Sequence, residues 1–155
     1  MKPRLLTSLT VLLITSTWAF AQSEVYEREK LEKLQKPSPF EDIISGPKQD
    51  QIVFQDDYVV AFVPLRKQAP VHLLIVPKKR IPTLNEITED DSILLSRLLL
   101  AARNLAVKQG IDKSGYRIAL NTNEAAGQSV FHVHLHLLGG MKLGPMVDQT
   151  YRDER

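Results

Sequence analysis

The chain contains no cysteine. Disulfide bridges, thiolate metal sites, thiol nucleophiles and a lipid-modified cysteine are therefore all excluded. Aromatic residues make up only 6% of the sequence, and its single tryptophan, Trp18, lies near the N-terminus. Charge of either sign is hardly in excess, at 20 Lys+Arg against 18 Asp+Glu. Two of those cations, Lys2 and Arg4, precede a mostly apolar stretch from Leu5 to Ile14, and Ala19-Phe20-Ala21 follows it. A basic start, a short apolar run and a small-x-small site are the marks of a secretory signal peptide, here residues 1–21 with cleavage after Ala21. The run is short for a membrane span and is interrupted by Ser8, Thr10, Thr15, Ser16 and Thr17. The expected product is periplasmic or secreted, with no stable membrane association after cleavage. Without residues 1–21 the acidic and basic side chains balance, so charge offers no argument for nucleic acid as a partner. An exported chain without cysteine must rest on its core alone.

What remains has the length of one domain. Residues 22–37 read as a polar leader with a helical pattern, 38–140 as the domain, and 141–155 as a polar tail. Ser38-Pro39-Phe40-Glu41 has the spacing of a capping box, with Ser38 as N-cap. Gln51 to Phe54 and Tyr58 to Pro64 are apolar, β-branched runs joined by Gln55-Asp56-Asp57, which predicts a hairpin. Val71 to Val76, Tyr116 to Asn121 and Phe131 to Leu138 complete a set of five strands. Asp90 to Gln109 carries Ile93, Leu94, Leu98, Ala101, Ala102, Leu105 and Ala106 at helical spacing and stops at Gly110. Strands clustered around one long helix predict an antiparallel α+β domain.

Three of the four histidines alternate with apolar residues in Phe131-His132-Val133-His134-Leu135-His136-Leu137. Period-2 alternation places the imidazoles on one face of a strand. Neighbouring rings then start about 6.7 Å apart and the outer pair about 13 Å apart. Zinc needs its nitrogens at about 2.0–2.1 Å, so three rings on one straight strand do not converge on an ion; no metal and no cofactor is expected. Three buried ordinary histidines would each need hydrogen-bond partners. Imidazole can act as nucleophile, base or acid near neutral pH, and acid–base or covalent catalysis fits the row better. The preceding Gly127-Gln128-Ser129-Val130 offers backbone N–H groups and a hydroxyl to an anion, and Gly127 permits close backbone approach. Lys78-Lys79-Arg80 could meet a phosphate, although a solvated loop is the plainer reading.

The segment from Gln128 to Gly140 resembles the signature of the histidine triad (HIT) family, and more narrowly its nucleotide-binding branch. Phe40 to Ile43, Phe54 to Asp57, Ala61-Phe62, Gln68 to His72, Ile75 to Lys79, Tyr116-Arg117 and Asn121 extend the similarity. The resemblance implies a five-stranded antiparallel sheet per subunit, a long helix, a short N-terminal helix, and a homodimer whose sheets join across a two-fold axis. It implies metal-independent hydrolysis of a nucleoside phosphoramidate or related conjugate, with a purine nucleotide as the substrate's recognised part, through a covalent nucleotidyl-histidine. Dinucleoside polyphosphate hydrolysis and a catalytically weak nucleotide-binding module are the alternatives; a metal-binding protein is the third. On this resemblance His134 is the nucleophile, His136 and Ser129 contact the phosphate and leaving group, and His132 and His72 orient the central ring. Asn121, Gly127, Gln128 and Val130 would bind substrate, and Phe40, Ile43, Phe62 and Leu65 would line the base and ribose pocket. Pro64 stands where the branch has an acidic residue for the ribose hydroxyls, and Trp18 is no substitute for the tryptophan often carried by the family's tail.

Overall fold

A computed structural model describes residues 24–146. The segment read as a signal peptide and the last nine residues of the tail lie outside the described residues. The chain divides between Ser38 and Pro39 into two compact units. In the first, residues 24–34 form helix α1, whose surface carries an exposed Lys33–Glu29 pair one turn apart at 3.9 Å.

The second unit is built on a five-stranded antiparallel sheet in the order β1-β2-β3-β5-β4. Its strands are β1 (Ile52–Gln55), β2 (Val59–Phe62), β3 (Val71–Pro77), β4 (Tyr116–Ala119) and β5 (Leu135–Gly139). The expected hairpin joins β1 to β2. Its turn is held by the Asp56 carboxylate, which accepts from the backbone N–H groups of Tyr58 (2.8 Å) and Val59 (2.9 Å). That is the turn chemistry for which aspartate is favoured.

Alternation along the strands gives the sheet two apolar faces. Val59, Ala61, Leu73, Ile75, Leu135 and Leu137 point to one. Helix α3 (Ser92–Lys108) lays Leu94, Leu98, Ala101, Ala102, Leu105 and Ala106 on that face. It stops as Gly110 turns to φ 69°, with the Ile111 N–H on the Ala106 carbonyl and the Gly110 N–H on the Val107 carbonyl, both at 3.0 Å. This pair of bonds is the Schellman closure that a glycine permits. The other face carries Val60, Phe62, Leu74 and Val76, and is covered by Phe40 and by Ile43 from the short helix α2 (Glu41–Ile44).

Two local expectations are corrected. Helix α2 begins after Phe40 with no side-chain cap, so Ser38 is not its N-cap. The fifth strand begins at Leu135, not Phe131. The ladder between β3 and β5 ends at the Ile75–Leu135 pair, because β3 runs out at Pro77, which has no N–H to offer a partner strand. Residues 131–133 instead bond to Pro77, Arg80 and Ile81, at and just beyond the end of β3. The alternation survives this change: Val133 enters the core beneath α3, and the rings of His132 and His134 both contact Phe40 on the opposite face.

Candidate functional site

All four histidines lie on the α2 side of the sheet. His72 comes from the start of β3 and His136 from β5, where their side chains are diagonal neighbours across the ladder. His132 and His134 come from the irregular run into β5. Ring centroids are 5.0 Å apart for His134 and His136, and 5.2 Å for His72 and His136. The Phe40 ring closes the other side, 5.3 Å from His134 and 5.6 Å from His132, and packs on Phe62 at 5.5 Å. His72, His132 and His134 are buried, and His136 is half-buried.

Three of the rings meet a backbone group whose donor or acceptor role is fixed, which assigns their tautomers, and His136 follows from His72. The Gln68 backbone N–H can only donate, and it meets His72 Nδ1 at 3.1 Å. The proton of neutral His72 is therefore on Nε2, which donates to His136 Nδ1 at 2.9 Å. That leaves His136 with its proton on Nε2. His134 Nδ1–H donates to the His132 carbonyl at 2.8 Å, so the Nε2 of His134 carries a lone pair. His132 Nε2–H donates to the Pro77 carbonyl, also at 2.8 Å. The lone pairs thus fall on Nε2 of His134 and Nδ1 of His132, and His136, next to His134, keeps an N–H donor on Nε2.

Electrostatics keep the rings uncharged. Burial pushes the pKa of His134 down, partly offset by its bond to the His132 carbonyl. His136 falls to about 4 through burial, with His134 and His72 adding to the effect. Burial lowers His72, and the charge on Lys67 adds to it. For His132 burial is again the main cause; Arg80 lowers it further, while the Pro77 carbonyl and Glu41 act in the opposite direction. Neutral His134 is the form that can attack an electrophile.

The structure sorts the remaining expected residues. Phe40, Ile43 and Phe62 gather in one apolar cluster, with Val130 packed against it. Asn121 is half-buried just beyond β4, and Ser129 is exposed in the loop before the histidines. Leu65 is fully exposed (102%) and is not part of that cluster. Gly127 sits at φ 74° and closes the turn, and a side chain there would meet no other protein atom. Gln128 is buried with its amide already engaged: Nε2 donates to the carbonyls of Pro82 (2.8 Å) and Val130 (3.1 Å), and Oε1 accepts from the Asn123 N–H (2.9 Å). It knots the loop and has no free donor for substrate. The Lys78-Lys79-Arg80 run is not a phosphate cradle: Lys79 pairs with Asp91 at 2.6 Å, and Arg80 Nε donates to the Phe131 carbonyl at 3.3 Å. Sequence reasoning missed the backbone groups of Gln68, Pro77 and Ile81, which any residue could supply. Among the described residues no three His, Asp or Glu side chains stand together as ligands for an ion.

Comparison with known proteins agrees with this geometry. The family model described as HIT domain matches residues 45–143. The chain is similar to a purine nucleoside phosphoramidase from Escherichia coli (strain K12), 44% identical over 108 residues, which cover 70% of this chain and 91% of that protein. The crystal structure of a HIT family hydrolase from Legionella pneumophila Philadelphia 1 has a TM-score of 0.66 and 44% identity, covering 70% of this chain and 96% of that one. A HIT family hydrolase from Clostridium thermocellum also has a TM-score of 0.66, at 39% identity, covering 72% and 97%.

Histidines held neutral in the folded state link stability to pH. Each has a folded pKa below its unfolded value near 6.5, so the unfolded chain binds more protons as pH falls. Their contribution is complete above pH 6.5 and is lost as pH drops toward about 4, the value for His136. Thermal unfolding should show Tm falling across that window, and the fall should be shallower in His136→Asn. A Tm that is flat between pH 7 and 4.5 would contradict the neutral assignment.

Proposed function

The chain belongs to the HIT domain family, and from that premise we propose that it is a metal-independent hydrolase of nucleoside phosphoramidates or related nucleotide conjugates. The observation that carries this reading is the bond from His134 Nδ1–H to the His132 carbonyl, which leaves the lone pair of the neutral ring on Nε2, with the His136 ring 5.0 Å away. The similarity to the purine nucleoside phosphoramidase supports a purine nucleotide as the recognised part of the substrate.

His134 Nε2 attacks the α-phosphorus, and the bond from phosphorus to the leaving nitrogen breaks. The amine needs one proton to leave, and His136 Nε2–H is the donor in position. A phosphate anion beside His136 favours the ring's protonated form and counters the burial that lowers its pKa. Water then attacks the nucleotidyl-histidine and frees His134. Over the cycle the proton taken by the amine is the one the water gives up, passed through His136. Two successive displacements replace one difficult step. His72 holds the ring plane of His136, and the apolar cluster of Phe40, Ile43 and Phe62 offers a surface for a purine and ribose. Half-buried Asn121 and the Val130 N–H would be further polar contacts for the substrate, and Ser129, exposed in the loop, would approach the leaving group.

We also propose a homodimer. Strand β4 closes one edge of the sheet, and all four of its residues are partly covered. On α3, Ile93, Leu100 and Val107 recur every seven residues and so share a face, yet all are exposed. A second copy of this chain would cover both.

With adenosine 5′-phosphoramidate, AMP release is expected from the wild-type protein and a loss of about a thousandfold or more from His134→Ala. Equal release by both would place the chemistry elsewhere. Light scattering should give twice the mass of one chain, reduced to a single chain by Leu100→Glu; a monomeric wild type would reject the dimer.

A further inference from the structure

The catalytic run before β5 lies beyond the β3–β5 ladder. It is held by residues 77–82, through four bonds. His132 Nε2–H donates to the Pro77 carbonyl (2.8 Å), Arg80 Nε to the Phe131 carbonyl (3.3 Å), the Val133 N–H to the Ile81 carbonyl (2.7 Å), and Gln128 Nε2 to the Pro82 carbonyl (2.8 Å). The Ile81 side chain is itself buried in the core beneath α3, so this template is anchored.

Two of these bonds act on successive peptide planes. In a trans peptide the N–H and C=O point to opposite sides. The peptide joining His132 and Val133 has its N–H drawn to Ile81, which turns the His132 carbonyl the other way, to where His134 Nδ1–H meets it. The peptide before it, joining Phe131 and His132, has its carbonyl held by Arg80. The orientation of the His132 carbonyl, and with it the tautomer of His134, depends on both planes. Arg80 reaches further: its Nη1 lies 4.0 Å from Glu41 Oε1, on the helix that follows Phe40, and Phe40 packs on the rings of His132 and His134. Its side chain is three-quarters covered, at 24% exposure, which keeps these contacts from being wholly screened by solvent. One guanidinium thus touches both walls of the site, the backbone that carries the histidines and the helix that closes over them. A planar fork can serve two such partners, whereas a lysine ammonium acts as a point charge.

We propose that Arg80 is a positioning residue for His134, fixing through the Phe131 carbonyl the backbone that selects the Nδ1–H tautomer and leaves Nε2 free to attack. This rests on the reading of His134 as nucleophile. It gives the third residue of the Lys78-Lys79-Arg80 run an inward role in place of a solvated or phosphate-binding one. Arg80 makes no contact with the reacting atoms; it acts through the chain it holds.

The test uses Arg80→Gln and Arg80→Lys with two readouts. Ring-nitrogen NMR of the ¹⁵N-histidine-labelled protein at pH 7, without substrate, reports the His134 tautomer. Steady-state kinetics with adenosine 5′-phosphoramidate report kcat and KM separately. In wild type His134 should be wholly Nδ1–H. In Arg80→Gln the Nε2–H tautomer should appear, with kcat down about ten- to a hundredfold, the scale of a small misplacement, and KM within about twofold. Arg80→Lys should fall between, and supplies the same readouts if the glutamine variant does not fold. A single Nδ1–H tautomer in the variants overturns the proposal, whatever kcat does. A tautomer shift in the variants with no turnover by wild type would leave the positioning role standing and reject the phosphoramidase reading alone.

Discussion

The His132 carbonyl accepts a hydrogen bond from His134 Nδ1, and the chemistry of the site follows from that bond. An imidazole has two nitrogens, and in the neutral ring only one carries a lone pair. Which one is decided by what the other can find. Here a backbone oxygen, which can only accept, takes the proton side and turns the free nitrogen toward the site. Burial reinforces the choice, because it disfavours the imidazolium form. The second chain of bonds, from the Gln68 N–H through His72 to His136, does the reverse for its last ring, leaving an N–H donor on Nε2. Nucleophile and donor are thus two copies of one side chain, made different by the backbone groups at their far ends.

The fold supplies this by using the two faces of its sheet for different ends. The face under α3 is packed with aliphatic side chains and carries the stability of the unit. The face under α2 and Phe40 is apolar too, but the four imidazoles are set into its margin. Alternation along β3 and β5 assigns each residue to its face. Leu73 and Ile75 enter the core while His72 and Leu74 face the site, and Leu135 and Leu137 enter the core while His136 faces the site. A one-residue slip of β5 would bury His136 beneath α3 with no partner. The hydrophobic pattern that fixes the register therefore also fixes the catalytic geometry.

Much of this was legible in the sequence. The five apolar runs, the helix ending at Gly110 and the alternating histidines each leave a periodic trace, because burial of one face demands it. The run before β5 was read as strand because period-2 alternation continues through Phe131 to His134. What the pattern could not show is that the neighbouring strand ends at a proline, so that the same alternation is maintained by loop-to-loop bonds. Leu65 resembled a pocket residue by position and is wholly exposed. Gln128 resembled a substrate ligand and spends its amide on Pro82, Val130 and Asn123. Arg80 resembled a surface charge and points inward. The differences at Gln128 and Arg80 share a cause. They concern polar groups whose role depends on backbone carbonyls that no residue type reveals.

The most direct measurement is the site of attachment of the covalent intermediate. The protein would be mixed with adenosine 5′-phosphoramidate, quenched in alkali within milliseconds, and the nucleotidylated peptide mapped by mass spectrometry with ³¹P–¹⁵N NMR to identify the bonded nitrogen. The account predicts AMP on Nε2 of His134. Attachment to Nδ1 of that ring, or to His132, His136 or His72, would contradict it.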